Sequence, residues 1–213
     1  MTQKPQVEIT GWEARNYDRF LDLIFLGRYE KFIGRVIDDL QLRPEELVAD
    51  LGAGTGRMAS LMLQRMNDQG RIYALEIGEE MREQLYRLQK RDERLSIIQQ
   101  RIDEPFLLPI QVTLVFISFV LHGLNQPERL QVIHNVHQNL PVGGKFCILD
   151  YNHFSLLNAP WYIRFGIRHL ECKPTEDFIT RDWPALLQEK GFSNIQVNQY
   201  ASKYIRLLCC QKI

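Results

Sequence analysis

The sequence has no excess of charge of either sign, since 26 basic and 26 acidic side chains balance over 213 residues. A general nucleic-acid binder needs a broad basic face, so this balance argues against one. No apolar run reaches the roughly 18–20 residues that a bilayer span requires, and Met1-Thr2-Gln3-Lys4-Pro5-Gln6 does not place a basic segment before an apolar one. The expectation is a cytoplasmic protein without stable membrane insertion. Cysteine is scarce: Cys147, Cys172, Cys209 and Cys210 lack C-x-x-C spacing and two are adjacent, which fits neither a zinc knuckle nor a disulfide framework. A reducing compartment and no metal centre follow from that reading. Repeats, low-complexity tracts and Pro/Gly/Ser linkers are also missing, so residues 1–213 read as one domain. What is present suffices for a core, because 45% hydrophobic and 10% aromatic residues exclude a disordered chain.

The front of the chain is helical. Tyr17, Phe20, Leu21, Ile24, Phe25, Phe32, Val36, Ile37 and Leu40 recur at three- and four-residue spacing, which predicts helix over 16–41 within a cap spanning 12–43. From Leu47 onward short apolar runs alternate with amphipathic stretches, the pattern of βαβ units on a parallel sheet. Strands are expected at 47–51, 71–77, 95–101, 113–120 and 145–151, with helices at 56–67, 79–92 and 127–140. Residues 102–112 carry Pro105 and Pro109 and read as a loop; the tail reads as helix 182–190 followed by an antiparallel hairpin, 193–200 and 203–211. The fold class is therefore α/β, a doubly wound, mostly parallel seven-stranded sheet with a final antiparallel strand. An aromatic-rich insertion at 153–180 interrupts the rhythm directly after the fifth strand, at the edge where open α/β sheets bind ligands, and so reads as a lid.

The most informative run is Asp50-Leu51-Gly52-Ala53-Gly54-Thr55-Gly56-Arg57, a strand entering three alternating glycines and then a helix. Glycine suits a tight turn where a ligand approaches bare backbone, and the helix start presents unpaired N–H groups. Glu76 ends the next strand twenty residues beyond Gly56, where an acid can accept from ribose hydroxyls. Two ligand classes share this geometry. A nicotinamide site prefers G-x-G-x-x-G, but Arg57 stands at the third position and Asp50 would repel a pyrophosphate while suiting an ammonium group. An NAD(P)-dependent oxidoreductase stays as the alternative.

This run resembles the first motif of the Rossmann-like, class I S-adenosylmethionine-dependent methyltransferases, and the order of elements over roughly 17–213 is similar as well. Phe116-Ile117-Ser118-Phe119-Val120-Leu121-His122, Leu140-Pro141-Val142-Gly143-Gly144-Lys145 and Tyr17-Asp18 resemble the ubiquinone/menaquinone biosynthesis C-methyltransferase branch and its small-molecule relatives. The resemblance implies S-adenosylmethionine as cofactor and a small-molecule acceptor. It assigns cofactor contacts to Asp50, Gly52, Ala53, Gly54, Gly56 and Glu76, an adenine border to Ile77 and Met81, and further contacts to Tyr17, Asp103 and Ser118. Two departures stand out. Gln100-Arg101-Ile102-Asp103-Glu104 replaces the usual Gly-Asp/Asn-Ala, with Asp103 the substitute, and Val112-Thr113 replaces Phe-Asp, so an acid is missing. These keep open a catalytically silent cofactor-binding module.

Methyl transfer from a sulfonium mainly needs alignment, worth roughly 7–11 kcal/mol in favourable cases, and a base only when the acceptor must lose a proton. His122 at the end of the fourth strand is the base candidate, with a backbone-bonded supporting role as the other reading; Asp150 and Tyr151 leave the fifth strand at the same edge. The insertion has three readings: a lid over an apolar acceptor, a homodimer contact, or a membrane-surface contact.

Overall fold

A computed structural model describes residues 29–169 and 171–213, so Tyr17 and the front of the expected helix 16–41 lie outside the described residues. The chain runs α1 Tyr29–Asp39, β1 Leu47–Leu51, α2 Arg57–Leu63, β2 Arg71–Leu75, α3 Glu79–Gln89, β3 Leu95–Ile98, β4 Leu114–Ser118, α4 Gln126–Asn139, β5 Lys145–Tyr151, α5 Trp161–His169, α6 Pro174–Thr180, α7 Trp183–Glu189, β6 Phe192–Tyr200 and β7 Ile205–Lys212. Short 3₁₀ turns at Leu121–Gly123 and Leu156–Asn158 follow β4 and β5.

The seven strands lie in the order β3-β2-β1-β4-β5-β7-β6. β1 to β5 pair in parallel, and β7 inserts between β5 and β6, antiparallel to both. β1 is an interior strand, and Val48, Ala49, Asp50 and Leu51 are all buried, as expected for a parallel strand covered on both faces. Alternation along it feeds two cores. Ala49 and Leu51 join Ile133, Val136, Phe178 and Trp183 from α4, α6 and α7, whereas Val48 joins Ile33, Met58, Met62 and Leu85 from α1, α2 and α3. Sequence order runs outward from β1 through β2 to β3 and then returns to β4 on the other side, so a crevice opens at the carboxyl ends of β1 and β4.

Local chemistry accounts for the element ends. Asn125 and Glu128 close a reciprocal capping box at the start of α4, with Asn125 Oδ1 accepting from the Glu128 N–H at 3.2 Å and Glu128 Oε2 accepting from the Asn125 N–H at 2.8 Å. β4 stops at Ser118, short of the expected 120, because Phe119 takes a left-handed φ of 52°. β2 likewise stops at Leu75 and leaves Glu76 in a loop.

One expectation is corrected. Cys147 and Cys209 are register partners on β5 and β7, with Cα atoms 4.1 Å apart, and form a disulfide; Cys172 and Cys210 are free. A separation of 62 residues gives no spacing signal, since antiparallel register alone brings the pair together. The disulfide removes the argument from unpaired cysteines to a reducing compartment. Among the described residues no helix is long and apolar enough to cross a membrane.

Candidate cofactor cleft and the cluster beside it

The glycine turn lies at the crevice between β1 and β4. Gly52, Gly54 and Gly56 have φ of 69°, 56° and 82°, in the left-handed region that favours glycine. Their surroundings differ. A Cβ added at Gly52 would lie 2.7 Å from Val120 Cγ2, and one at Gly56 would lie 2.6 Å from Leu85 Cδ2 on α3, whereas one at Gly54 would meet nothing within 4 Å. Gly54 thus borders open space, while Gly56 permits α2 to pack on α3 and does not line the cleft.

The cleft is lined by Gly52, Ala53 and Gly54 of the turn, by Glu76, Ile77 and Met81 after β2, and by Asp103, Ser118, Phe119 and Val120. Glu76 is fixed by three backbone donors: its Oε2 accepts from the Gly54 N–H at 2.8 Å, and its Oε1 from Ile77 at 2.9 Å and Gly78 at 2.8 Å. The carboxylate therefore ties the glycine turn to the end of β2. Of roughly four acceptor positions on a carboxylate, these bonds leave room for a further donor from the cleft. Asp103 accepts from Arg101 Nη2 at 2.8 Å.

Asp50 lies beneath the turn, 1% exposed, and neither carboxylate oxygen has a hydrogen-bond partner. Burial, and then the charge of Glu76, pushes its carboxyl up to about 7. A buried carboxylate without donors is costly, and an ammonium group, directly or through water, would supply them. This orphaned acid, the spare acceptor positions of Glu76 and the open backbone at Gly54 fit an amino-acid nucleoside such as S-adenosylmethionine.

The three residues expected to act in chemistry form a separate cluster. Arg129 of α4, fully buried, accepts no exposure to water and instead donates Nε–H to the Leu121 carbonyl at 2.9 Å and Nη2–H to the His122 carbonyl at 3.3 Å, fixing the turn after β4. On that turn His122 Nδ1 lies 2.8 Å from Asp150 Oδ1, and Nε2 lies 3.2 Å from Glu171 Oε2. Tyr151 donates its hydroxyl to Glu171 Oε1 at 2.6 Å and sets its ring edge-on to His122 at 5.1 Å. Burial lowers the imidazole pKa, but the charges and hydrogen bonds of Asp150 and Glu171 outweigh it and raise His122 to about 10. For Glu171, burial is likewise outweighed by His122 and Tyr151, which hold its carboxyl below the usual range. Both ring nitrogens of His122 thus face carboxylates, an arrangement that favours the charged imidazolium over a free base. None of His122, Asp150 and Tyr151 lines the cleft.

Sequence reasoning missed three residues. Glu171 gave no local signal, lying 49 residues beyond His122 in the insertion. Arg129 did give one, as a cation on the helix face that carries Val132, Ile133 and Val136. Glu46 answers the missing acid at Thr113: it is 1% exposed, accepts the Thr113 hydroxyl and takes Arg43 Nη2 at 2.7 Å, so the acid arrives from the neighbouring strand entry.

Residues 48–144 match the family model described as a methyltransferase domain. Over that stretch the chain is similar to a methyltransferase domain. The match begins in β1 and ends just before β5, so it contains the glycine turn, Glu76 and Asp103 but not the insertion. The chain is 28% identical over 173 residues to the ubiquinone/menaquinone biosynthesis C-methyltransferase UbiE of Xanthomonas oryzae pv. oryzae, covering 75% of this chain and 62% of that protein. It is 25% identical over 211 residues to the 2-phytyl-1,4-naphtoquinone methyltransferase of Thermosynechococcus vestitus, covering 84% of this chain and 87% of that one. The chain spans only 32% and 62% of the lengths of the Legionella and Xanthomonas UbiE proteins it matches. The fold is shared with a SAM-dependent methyltransferase from Aquifex aeolicus, at TM-score 0.61 and 16% identity over 85% of this chain and 89% of that one.

Proposed function

We propose that the chain transfers a methyl group from S-adenosylmethionine to a small, apolar or aromatic molecule. The observation that carries this reading is the cleft itself. Within a methyltransferase domain, an open glycine turn, an anchored acid at the end of β2 and an unpartnered buried carboxylate meet at the switch point of the sheet. When bound, the cofactor supplies an electrophilic methyl group on a sulfonium sulfur. Glu76 would accept from the ribose hydroxyls and Ile77 and Met81 would border the adenine with Asp103 at its edge, while Asp50, buried beneath the turn and outside the cleft lining, would reach the amino group directly or through water. Phe119 and Val120 give the cleft an apolar wall near β4, which excludes water and suits a carbon-rich acceptor.

Because His122 is committed to two carboxylates, His122 and Asp150 hold the start of the insertion and do not shuttle protons. The acceptor then needs an intrinsically nucleophilic atom or a proton taken up by water. The quinone acceptors named for the relatives support an aromatic acceptor here, and the balanced charge supports a small molecule over a nucleic acid. The bond between Thr113 and Glu46 restores the acid that the sequence lacks, which weakens the silent-module reading. Calorimetry with S-adenosylmethionine, S-adenosylhomocysteine and NAD tests the proposal. Binding of the two sulfur nucleosides and not of NAD is expected; binding of NAD alone would overturn it.

A further inference from the structure

We propose that the outward face of α5 and the turn before it form a docking surface for an anionic lipid bilayer. The proposal goes beyond the methyl-transfer reading. α5 buries only Ile167. On its outer side Trp161, Tyr162 and Phe165 are 75%, 56% and 53% exposed, and Leu157 in the preceding turn is 80% exposed. Trp161 stacks edge-on to Tyr162 at 6.0 Å, and Phe165 lies 4.8 Å from the His169 ring, so these rings contact their neighbours on the helix. Four large apolar side chains exposed within nine residues make a patch of the kind that marks an interaction surface.

Charge selects the occupant. From His153 to His169 there is no Asp or Glu, while Arg164 and Arg168 lie in that stretch and Lys173 follows, all three exposed. The acids that come next are engaged elsewhere: Glu171 binds His122, and Asp177 binds Arg129 and Arg181. Glu176 approaches Arg168 only at 3.8 Å. An aromatic face therefore carries a positive rim in a chain whose total charge is zero. Trp and Tyr rings settle at the headgroup boundary of a bilayer, and Arg and Lys beside them meet lipid phosphates. A second copy of the chain would bring the same basic rim against itself, which costs rather than gains. The insertion follows β5 at the carboxyl edge of the sheet, so docking there turns the edge that holds the cleft towards the lipid.

Sedimentation of the full chain with vesicles of pure phosphatidylcholine and of phosphatidylcholine mixed with phosphatidylglycerol tests this. Pelleting with the anionic vesicles is expected, reduced about tenfold in partition coefficient by Arg164→Glu with Arg168→Glu and by a similar factor in Trp161→Ser with Phe165→Ser. Thermal unfolding of the variants should match the parent, because all four side chains are exposed. Retention in the supernatant with both vesicle types, or equal sedimentation with both, overturns the proposal. So does a concentration-dependent dimer that Trp161→Ser with Phe165→Ser disperses while vesicle binding is absent. The readout needs no methyl transfer, so it succeeds or fails separately from the proposed activity.

Discussion

The cleft at the glycine turn and the cluster around His122 lie at the same edge of one sheet, yet they treat their polar groups in opposite ways. In the cleft region Asp50 has two unpartnered oxygens and Gly54 faces open space. In the cluster both nitrogens of His122 are engaged, and the Tyr151 hydroxyl is donated. Open valences cost stability and are useful only where a ligand completes them; closed valences hold structure. By that contrast the first region is suited to a ligand, and the second clamps the insertion to β4 and β5.

The largest effect should come from opening the clamp. His122→Ala leaves Asp150 and Glu171 without their shared cation, and loss of one member of a buried ion cluster costs about 3–5 kcal/mol. Urea unfolding should show that loss while S-adenosylmethionine still binds the remaining folded protein. A loss of stability under about 1 kcal/mol would break the distinction. The pH dependence has a defined sign. His122 is raised from 6.5 to about 10, so its stabilisation is complete below 6.5 and disappears as pH rises through about 10. Glu171 is lowered from 4.5, so its contribution is present above 4.5 and disappears as pH falls through its lower folded value. Unfolding midpoints of the parent against pH should therefore fall at both ends more steeply than those of His122→Ala.

Next in size is a substitution that strikes the cleft and spares the clamp. Gly54→Val places a side chain in open space at φ 56°, so cofactor affinity should drop at least about a hundredfold, against a backbone penalty of roughly 1–2 kcal/mol in stability. Gly56→Val meets Leu85 at 2.6 Å and should reverse the balance, losing stability first. Calorimetry paired with thermal unfolding reads both. Equal loss of affinity in the two variants would show that the third glycine also faces the ligand.

The difference between these glycines also marks what could be read without the fold. β1 and β5 have the expected bounds, the glycine turn lies at the switch point, and Asn125 caps α4, because each depends on neighbours a few residues away. The pairing of His122 with Glu171, of Arg129 with Asp177 and of Cys147 with Cys209 joins residues 48 to 62 positions apart. Those contacts depend on how the insertion and β7 fold back on the sheet, so no periodicity or spacing announces them. For the same reason the sequence alone does not show the surroundings of His122, whose ring faces Asp150 and Glu171 together.

Asp50→Asn sharpens the comparison further. Asp50 is raised from 3.8 to about 7 chiefly by burial, so the parent loses stability as pH rises through about 7 and the amide should not. If an ammonium group completes this carboxylate, the affinity of the parent for S-adenosylmethionine should rise with pH through about 7 and exceed that of Asp50→Asn by about tenfold at pH 8. Calorimetry between pH 6 and pH 8 decides it. Parallel pH profiles for the two proteins would mean that Asp50 supports the turn and does not sense the ligand.

The smallest effect tests whether the clamp acts as a unit. Tyr151→Phe removes one hydroxyl and nothing else, leaving Glu171 Oε1 short of its 2.6 Å donor. In isolation that bond is worth about 1 kcal/mol, or roughly 2–4 °C in the unfolding midpoint for a chain of this length. Glu171 also holds His122, so the loss of the phenolic donor should let Glu171 relax and weaken the second contact at 3.2 Å. A cycle with His122→Ala would then show the two substitutions costing less together than their sum, because each removes part of one network. Additive costs would instead mean that Tyr151 and His122 bind Glu171 independently, and the insertion would be held by separate contacts rather than by one clamp.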